Sequence, residues 1–126
     1  MGVDLTHYLG IGLKLTDDPD FDKYDEFIDR YPQYSRYEFI QCTTENKSDI
    51  RLIVDGMNGL YAYLMYVIKE TRDEEMWSTE CTKEFPFNSI DSANVISELQ
   101  EVYSKLNNGK ELKVQDINII SLFHFS

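Results

Sequence analysis

A chain of 126 residues is one domain of ordinary size, and with 42% hydrophobic and 13% aromatic residues it can bury a core without help from a metal or a disulfide. Asp and Glu number 23 against 12 Lys and Arg, a net charge of −11, which argues against a direct nucleic-acid binder or a protein of anionic membrane surfaces. The same imbalance favours solubility and attraction to basic partners.

Two cysteines, Cys42 and Cys81, are too few for a disulfide framework. Met1-Gly2-Val3-Asp4 lacks the basic start of a signal peptide, and the longest apolar run, Leu60 to Ile68, is too short to span a bilayer. A reducing cytoplasm is the expected compartment.

Residues 3 to 16 alternate. Val3, Leu5, Leu9, Ile11, Leu13 and Leu15 share one parity with His7, which predicts a strand burying that face. Gly10 and Gly12, on the other parity, mark a bend, a bulge or a close backbone neighbour. Asp17-Asp18-Pro19-Asp20 opens a helix, with Asp18 as N-cap and Pro19 as its first residue. Phe21, Tyr24, Phe27, Ile28 and Tyr31 form its apolar stripe, and Pro32 stops it. Tyr37–Thr44 reads as a strand.

Ile50–Val54 and Leu60–Lys69 read as a hairpin joined by Asp55-Gly56-Met57-Asn58-Gly59. The second arm also fits a helical stripe. Its Tyr, Val and Ile content favours strand, as does the acidic run at its end, which would oppose a helix dipole. Residues 70 to 88 form a long polar connection. Ser89 or Asp91 then caps a second helix to Leu106, with Ile90, Val95, Leu99, Val102, Tyr103 and Leu106 as its stripe, and Asn107-Asn108-Gly109 ends it. Leu112–Phe125 reads as a strand or strand pair, and its apolar residues on both parities predict a place in the centre of the sheet. The order β-α-β-β-β-α-β predicts one α+β domain over 1–126, a mostly antiparallel sheet of about five strands with two helices.

The densest chemical feature is Asp17 to Asp29, seven carboxylates in thirteen residues. Like charges three and four residues apart on a helix cost stability, so this density exceeds what solubility requires. The expected contact residues for a basic partner are Asp18, Asp22, Asp25, Glu26 and Asp29, joined by Asp73, Glu74 and Glu75 in the connection. Glu70, Glu80 and Glu84 extend the second group. Asp18, Asp20, Asp22 and Asp29 also fall at EF-hand positions, but Lys23 stands where the tight turn needs glycine, so no calcium site is expected. His7, His124, Cys42 and Cys81 lack the close pairing of structural zinc ligands, and no metal is expected. No nucleophile elbow, phosphate loop, dinucleotide fingerprint or zinc-protease signature is present, so neither enzyme activity nor a cofactor is expected. His7, Asp55 and Asn58 are the candidate contacts for a small ligand, Asp55 and Asn58 doubling as turn residues.

The opening MGVDLTHYLG and the hairpin LIVDGMNGLYAYL resemble small acidic accessory proteins of tailed bacteriophages, through Gly2, Asp4, Thr6, Tyr8 and the DGMNG loop. That resemblance implies a protein of the host cytoplasm made during infection. Size and acidity are also similar to those of phage counter-defence proteins that present carboxylates where DNA presents phosphates.

The expected function is therefore a non-enzymatic acidic protein-binding module, directed at a basic, nucleic-acid-binding surface of a host protein. The alternatives are a small-ligand or nucleotide-sequestering protein, or a small enzyme, with a pocket near His7. A third is a subunit that associates through an exposed hairpin edge, with the oligomeric state open.

Overall fold

The computed structural model describes residues 5–35, 49–72, 86, 88 and 90–125. Within them run β1 (Leu5–Thr16), α1 (Phe21–Arg30), a 3₁₀ turn (Pro32–Tyr34), β2 (Ile50–Val54), β3 (Ala62–Arg72), α2 (Ser92–Leu106), a second 3₁₀ turn (Val114–Asp116) and β4 (Asn118–Phe125). The strands form one antiparallel sheet in the order β2-β3-β1-β4. The class is α+β with two helices, and the described residues supply four strands rather than about five. The strand expected at Tyr37–Thr44 lies outside the described residues.

Both helices form as their patterns dictate. Asp20, not Asp18, is the N-cap of α1, its carboxylate accepting the Lys23 N–H at 3.2 Å. Tyr24 and Phe27 are buried, and Pro32 confines the helix to the residues before it. In α2, Asp91 accepts the Asn94 N–H at 3.2 Å, and Val95, Leu99, Val102 and Leu106 form the buried stripe. The chain leaves α2 through left-handed Asn108 and Gly109, at φ 54° and 85°. The two stripes meet Leu13, Ile50, Leu52, Ala62 and Leu64 in the main core. Each such aliphatic side chain contributes about 1.5–3 kcal/mol by leaving water.

The hairpin arm from Ala62 is a strand and runs to Arg72, three residues beyond the expected end. Glu70 therefore belongs to the sheet and not to the connection. Its carboxylate accepts from Arg51 Nη1 at 2.6 Å and from the Tyr8 hydroxyl at 3.5 Å.

β1 departs from its expected pattern. The odd-numbered face was expected to be the buried one, yet on the even-numbered face Tyr8 is fully buried. Tyr8 joins Ile53, Met65 and Leu122 in a second core on the side of the sheet away from the helices. The sheet folds over towards this side. Register places Thr16 opposite Ala62 and Thr6 opposite His124. Ten residues of straight strand would hold those ends about 33 Å apart, but Tyr61 Oη lies 2.7 Å from His124 Nδ1.

The fold line runs through Gly10 and Gly12. Leu9 faces Lys69 while Gly10 faces Val67, which leaves Ile68 as a bulge residue on β3. A Cβ at Gly10 would stand 2.1 Å from the Tyr66 carbonyl oxygen, and one at Gly12 the same distance from that of Leu64. Only glycine permits this approach.

Among the described residues β4 lies at an edge of the sheet and not in its centre. Both its parities are apolar, but only Leu122 and His124 are buried, inside the fold. Ile119, Phe123 and Phe125 face outwards at 81%, 56% and 50% exposure.

Gly10→Ala and Gly12→Ala should each lower unfolding free energy by about 3 kcal/mol or more, because neither carbonyl is a flexible side chain that can swing away. Gly56→Ala meets nothing within 4 Å and should change it by less than about 0.5 kcal/mol. Urea denaturation of the three variants measures the contrast.

Candidate functional site

The acidic stripe forms at α1. Asp22, Asp25, Glu26 and Asp29 follow the spacing i, i+3, i+4, i+7 and lie opposite the buried Tyr24 and Phe27, so all four carboxylates reach solvent. Asp18, just before the helix, is exposed too. Among the described residues none of these five carboxylates is in an ion pair; the pairs found are Lys14–Asp17, Arg51–Glu70, Arg72–Glu70 and Lys105–Glu101. Lys23, the one base inside the helix before Arg30, turns away to donate to Asn107 Oδ1 at 2.9 Å. The pairs Asp22–Glu26 and Asp25–Asp29 each oppose helix formation by about 0.2–0.5 kcal/mol. Asp73, Glu74 and Glu75 lie outside the described residues.

Two shallow clefts flank Lys23. One of about 340 Å³ is lined by Lys14, Asp18, Asp20 and Tyr103 among others, and one of about 230 Å³ by Glu26, Arg30 and Lys105 among others. Charges of both signs line each cleft, and neither gathers carboxylates in the way a cation site needs. Among the described residues no three His, Cys, Asp or Glu side chains come close enough to hold a metal ion. Cys42 and Cys81 lie outside the described residues.

His7, Asp55 and Asn58 are not brought together. The terminal strands do pair, but His7 faces Phe123 in the register while His124 faces Thr6, so the two histidines point to opposite sides of the sheet. His7 stands on the outer face, its Nε2 2.7 Å from Ser121 Oγ and its ring centroid 4.6 Å from that of Phe123. Partial burial there, reinforced by the charge of Lys69, lowers its pKa below the ordinary histidine value.

Asp55 organises the hairpin loop from inside. Its Oδ1 accepts the N–H groups of Met57 and Asn58 and its Oδ2 that of Leu60, all at 3.1 Å. Asn58 contributes its backbone to this ring, and its side chain is exposed. Burial pushes the Asp55 carboxyl pKa up, but the three N–H donors and nearby His124 outweigh it, and the net direction is down.

Two features were not found from sequence. One is the part-buried Tyr61–His124 contact, with ring centroids 5.8 Å apart in an edge-on arrangement. The other is the outward apolar face of β4. The sequence signal for the second was present, since Ile119, Phe123 and Phe125 share one parity, but it reads equally as burial.

Comparison of the chain with protein-family models, with curated proteins and with solved structures finds no match.

Asp55→Asn should lower stability at neutral pH by about 1–2 kcal/mol, since a charged acceptor of three backbone donors becomes a neutral one. A carboxyl whose pKa is depressed by folding stabilises fully above its unfolded value, roughly pH 4, and the gain is lost as pH falls through the folded value. The difference between wild type and Asp55→Asn should therefore shrink below roughly pH 4, as urea midpoints at neutral and acid pH will show.

Proposed function

We propose that this protein is a non-enzymatic binding module whose α1 carboxylate face docks on a basic, nucleic-acid-binding surface of another protein. The observation that carries the reading is the stripe Asp22, Asp25, Glu26 and Asp29, exposed on one helix face with no ion-pair partner among the described residues. A rigid helix holding four carboxylates in a row offers a spaced line of anions, which is also what a nucleic-acid backbone offers to such a surface. The helix carries this charge against its own stability, which favours a use beyond solubility.

The resemblance to phage accessory proteins makes a host defence or gene-expression protein the proposed target, and the host cytoplasm the proposed site of action. Among the described residues no helix is long and apolar enough to cross a membrane. The alternative, a small-ligand site near His7, has less support. His7 is engaged with Ser121 and Phe123 on an outward face, and Asp55 spends both carboxylate oxygens on its own loop.

Association through this stripe should be fast and weaken as salt rises. In pull-downs from host lysate at low and high salt, the variant combining Asp22→Asn, Asp25→Asn, Glu26→Gln and Asp29→Asn should lose affinity for the captured protein by about tenfold or more, about 1.4 kcal/mol per tenfold. Capture that is indifferent both to salt and to these four substitutions would remove α1 from the interface.

A further inference from the structure

We infer that the cleft where the end of β1, the start of α1 and the C-terminal end of α2 meet is a binding site for a free α-amino acid with an apolar side chain, held as its zwitterion.

The Tyr24 hydroxyl is what points to a ligand. Tyr24 packs in the main core and is only 6% exposed, yet it also lines this cleft. Its Oη makes no hydrogen bond to any described residue. Nor is that oxygen sealed in: among the described residues the buried side-chain atom left without a partner is Arg51 Nε. The hydroxyl is therefore left to the cleft. A polar group carried on so deeply placed a side chain nearly always has a partner, and one supplied from outside the chain fits this geometry. Burial first, then the nearness of Asp20 and Tyr103, push the Tyr24 phenol pKa up, so at neutral pH it remains a donor.

Charge selects the class of molecule. Lys14 is neutralised by Asp17, but Lys23, Asp18 and Asp20 enter no ion pair among the described residues. Lys23 is steered to the cleft by its bond to Asn107 Oδ1, and Asp20 uses only Oδ1 to cap α1. One ammonium and the two tyrosine hydroxyls thus stand as donors, with the Asp18 and Asp20 carboxylates as acceptors. A simple anion would have those two carboxylates beside it, within a molecule of charge −11. A simple cation would have Lys14 and Lys23 beside it. A molecule with a carboxylate at one end and an ammonium at the other meets both signs.

The remaining wall is apolar. Leu13 and Leu15, on the helix-facing side of β1, line the cleft and offer a surface to an aliphatic or aromatic side chain. The volume of about 340 Å³ is at the small end of the range for ligand sites, which suits one amino acid. The cleft is shallow, so the dissociation constant should be about 0.1–1 mM. This site is separate from the outward face of α1: Asp22, Asp25, Glu26 and Asp29 are not among its walls.

The test is a nuclear magnetic resonance titration of the isotope-labelled full chain with L-leucine and with L-phenylalanine. The same chain is titrated with 4-methylpentanoate and 3-methylbutylamine, which are leucine without its ammonium and without its carboxylate, and with glucose. Amide shifts around Lys23, Tyr24, Tyr103 and Asn107 should saturate with at least one amino acid, and the three other compounds should bind about tenfold more weakly or worse. Tyr24→Phe should weaken amino-acid binding by about tenfold while leaving the urea midpoint unchanged, because the hydroxyl has no partner in the protein to lose. Asp18→Asn, at an exposed position outside the helix, should weaken it several-fold and reads the same site should Tyr24→Phe lower the midpoint. No saturation with either amino acid up to about 10 mM overturns the proposal. So does equal binding of 4-methylpentanoate, 3-methylbutylamine or glucose, or amino-acid binding that is indifferent to both substitutions.

Discussion

Everything on the concave side of this sheet depends on two missing side chains. At Gly10 and Gly12 the backbone of β1 lies so close to the Tyr66 and Leu64 carbonyls of β3 that a single methyl has no room. The bulge at Ile68 adds local twist at the same place. A sheet of this width with ordinary residues at both positions would stay open. Its hairpin end, carrying Asp55 and Tyr61, would then lie a strand's length from the end of β4. Because the corner folds, Tyr61 reaches His124, and Tyr8, Ile53 and Met65 leave water altogether.

The corner also explains where the polar groups of the interior find partners. Arg51 sits opposite Met65 in the hairpin register, five residues away along β3 from Glu70, yet its guanidinium meets that carboxylate at 2.6 Å. The contact crosses the inside of the bend, where dielectric screening is weak and an unmatched charge would cost several kcal/mol. Asp55 is handled in the same way by three backbone donors. The α1 carboxylates make the contrast. Among the described residues, Arg51 and Asp55 are matched by partners, whereas the row of exposed α1 carboxylates makes no ion pair.

Much of this was legible residue by residue. The α1 stripe could be read because Tyr24 and Phe27 have to face the core, and the spacing then sends Asp22, Asp25, Glu26 and Asp29 outwards whatever the tertiary arrangement. Asp91 and Asn107-Asn108-Gly109 delimited α2 because caps and left-handed exits are local chemistry. Gly10 and Gly12 were recognisable as a place of close backbone approach, though not as a fold line. The errors share one cause. An apolar side chain carries no mark of what covers it, so β4, apolar on both parities, was placed in the centre of the sheet when among the described strands it lies at an edge. β1 was given one buried face when it has two. The strands of His7 and His124 do pair, but one residue of register turns the two histidines to opposite sides.

By itself the sequence determined the two helices, the α+β class, the hairpin with its Asp55-led loop, and the line of carboxylates on α1. All of these follow from periodicity, capping and turn chemistry acting over a few residues. Only the tertiary structure decided the sheet order, the fold at Gly10 and Gly12, the burial of Tyr8 and His124, and the exposure of Ile119, Phe123 and Phe125. Those depend on contacts between residues as far apart as Tyr61 and His124, and no local pattern encodes which strand will lie beside which, or towards which face the sheet will bend.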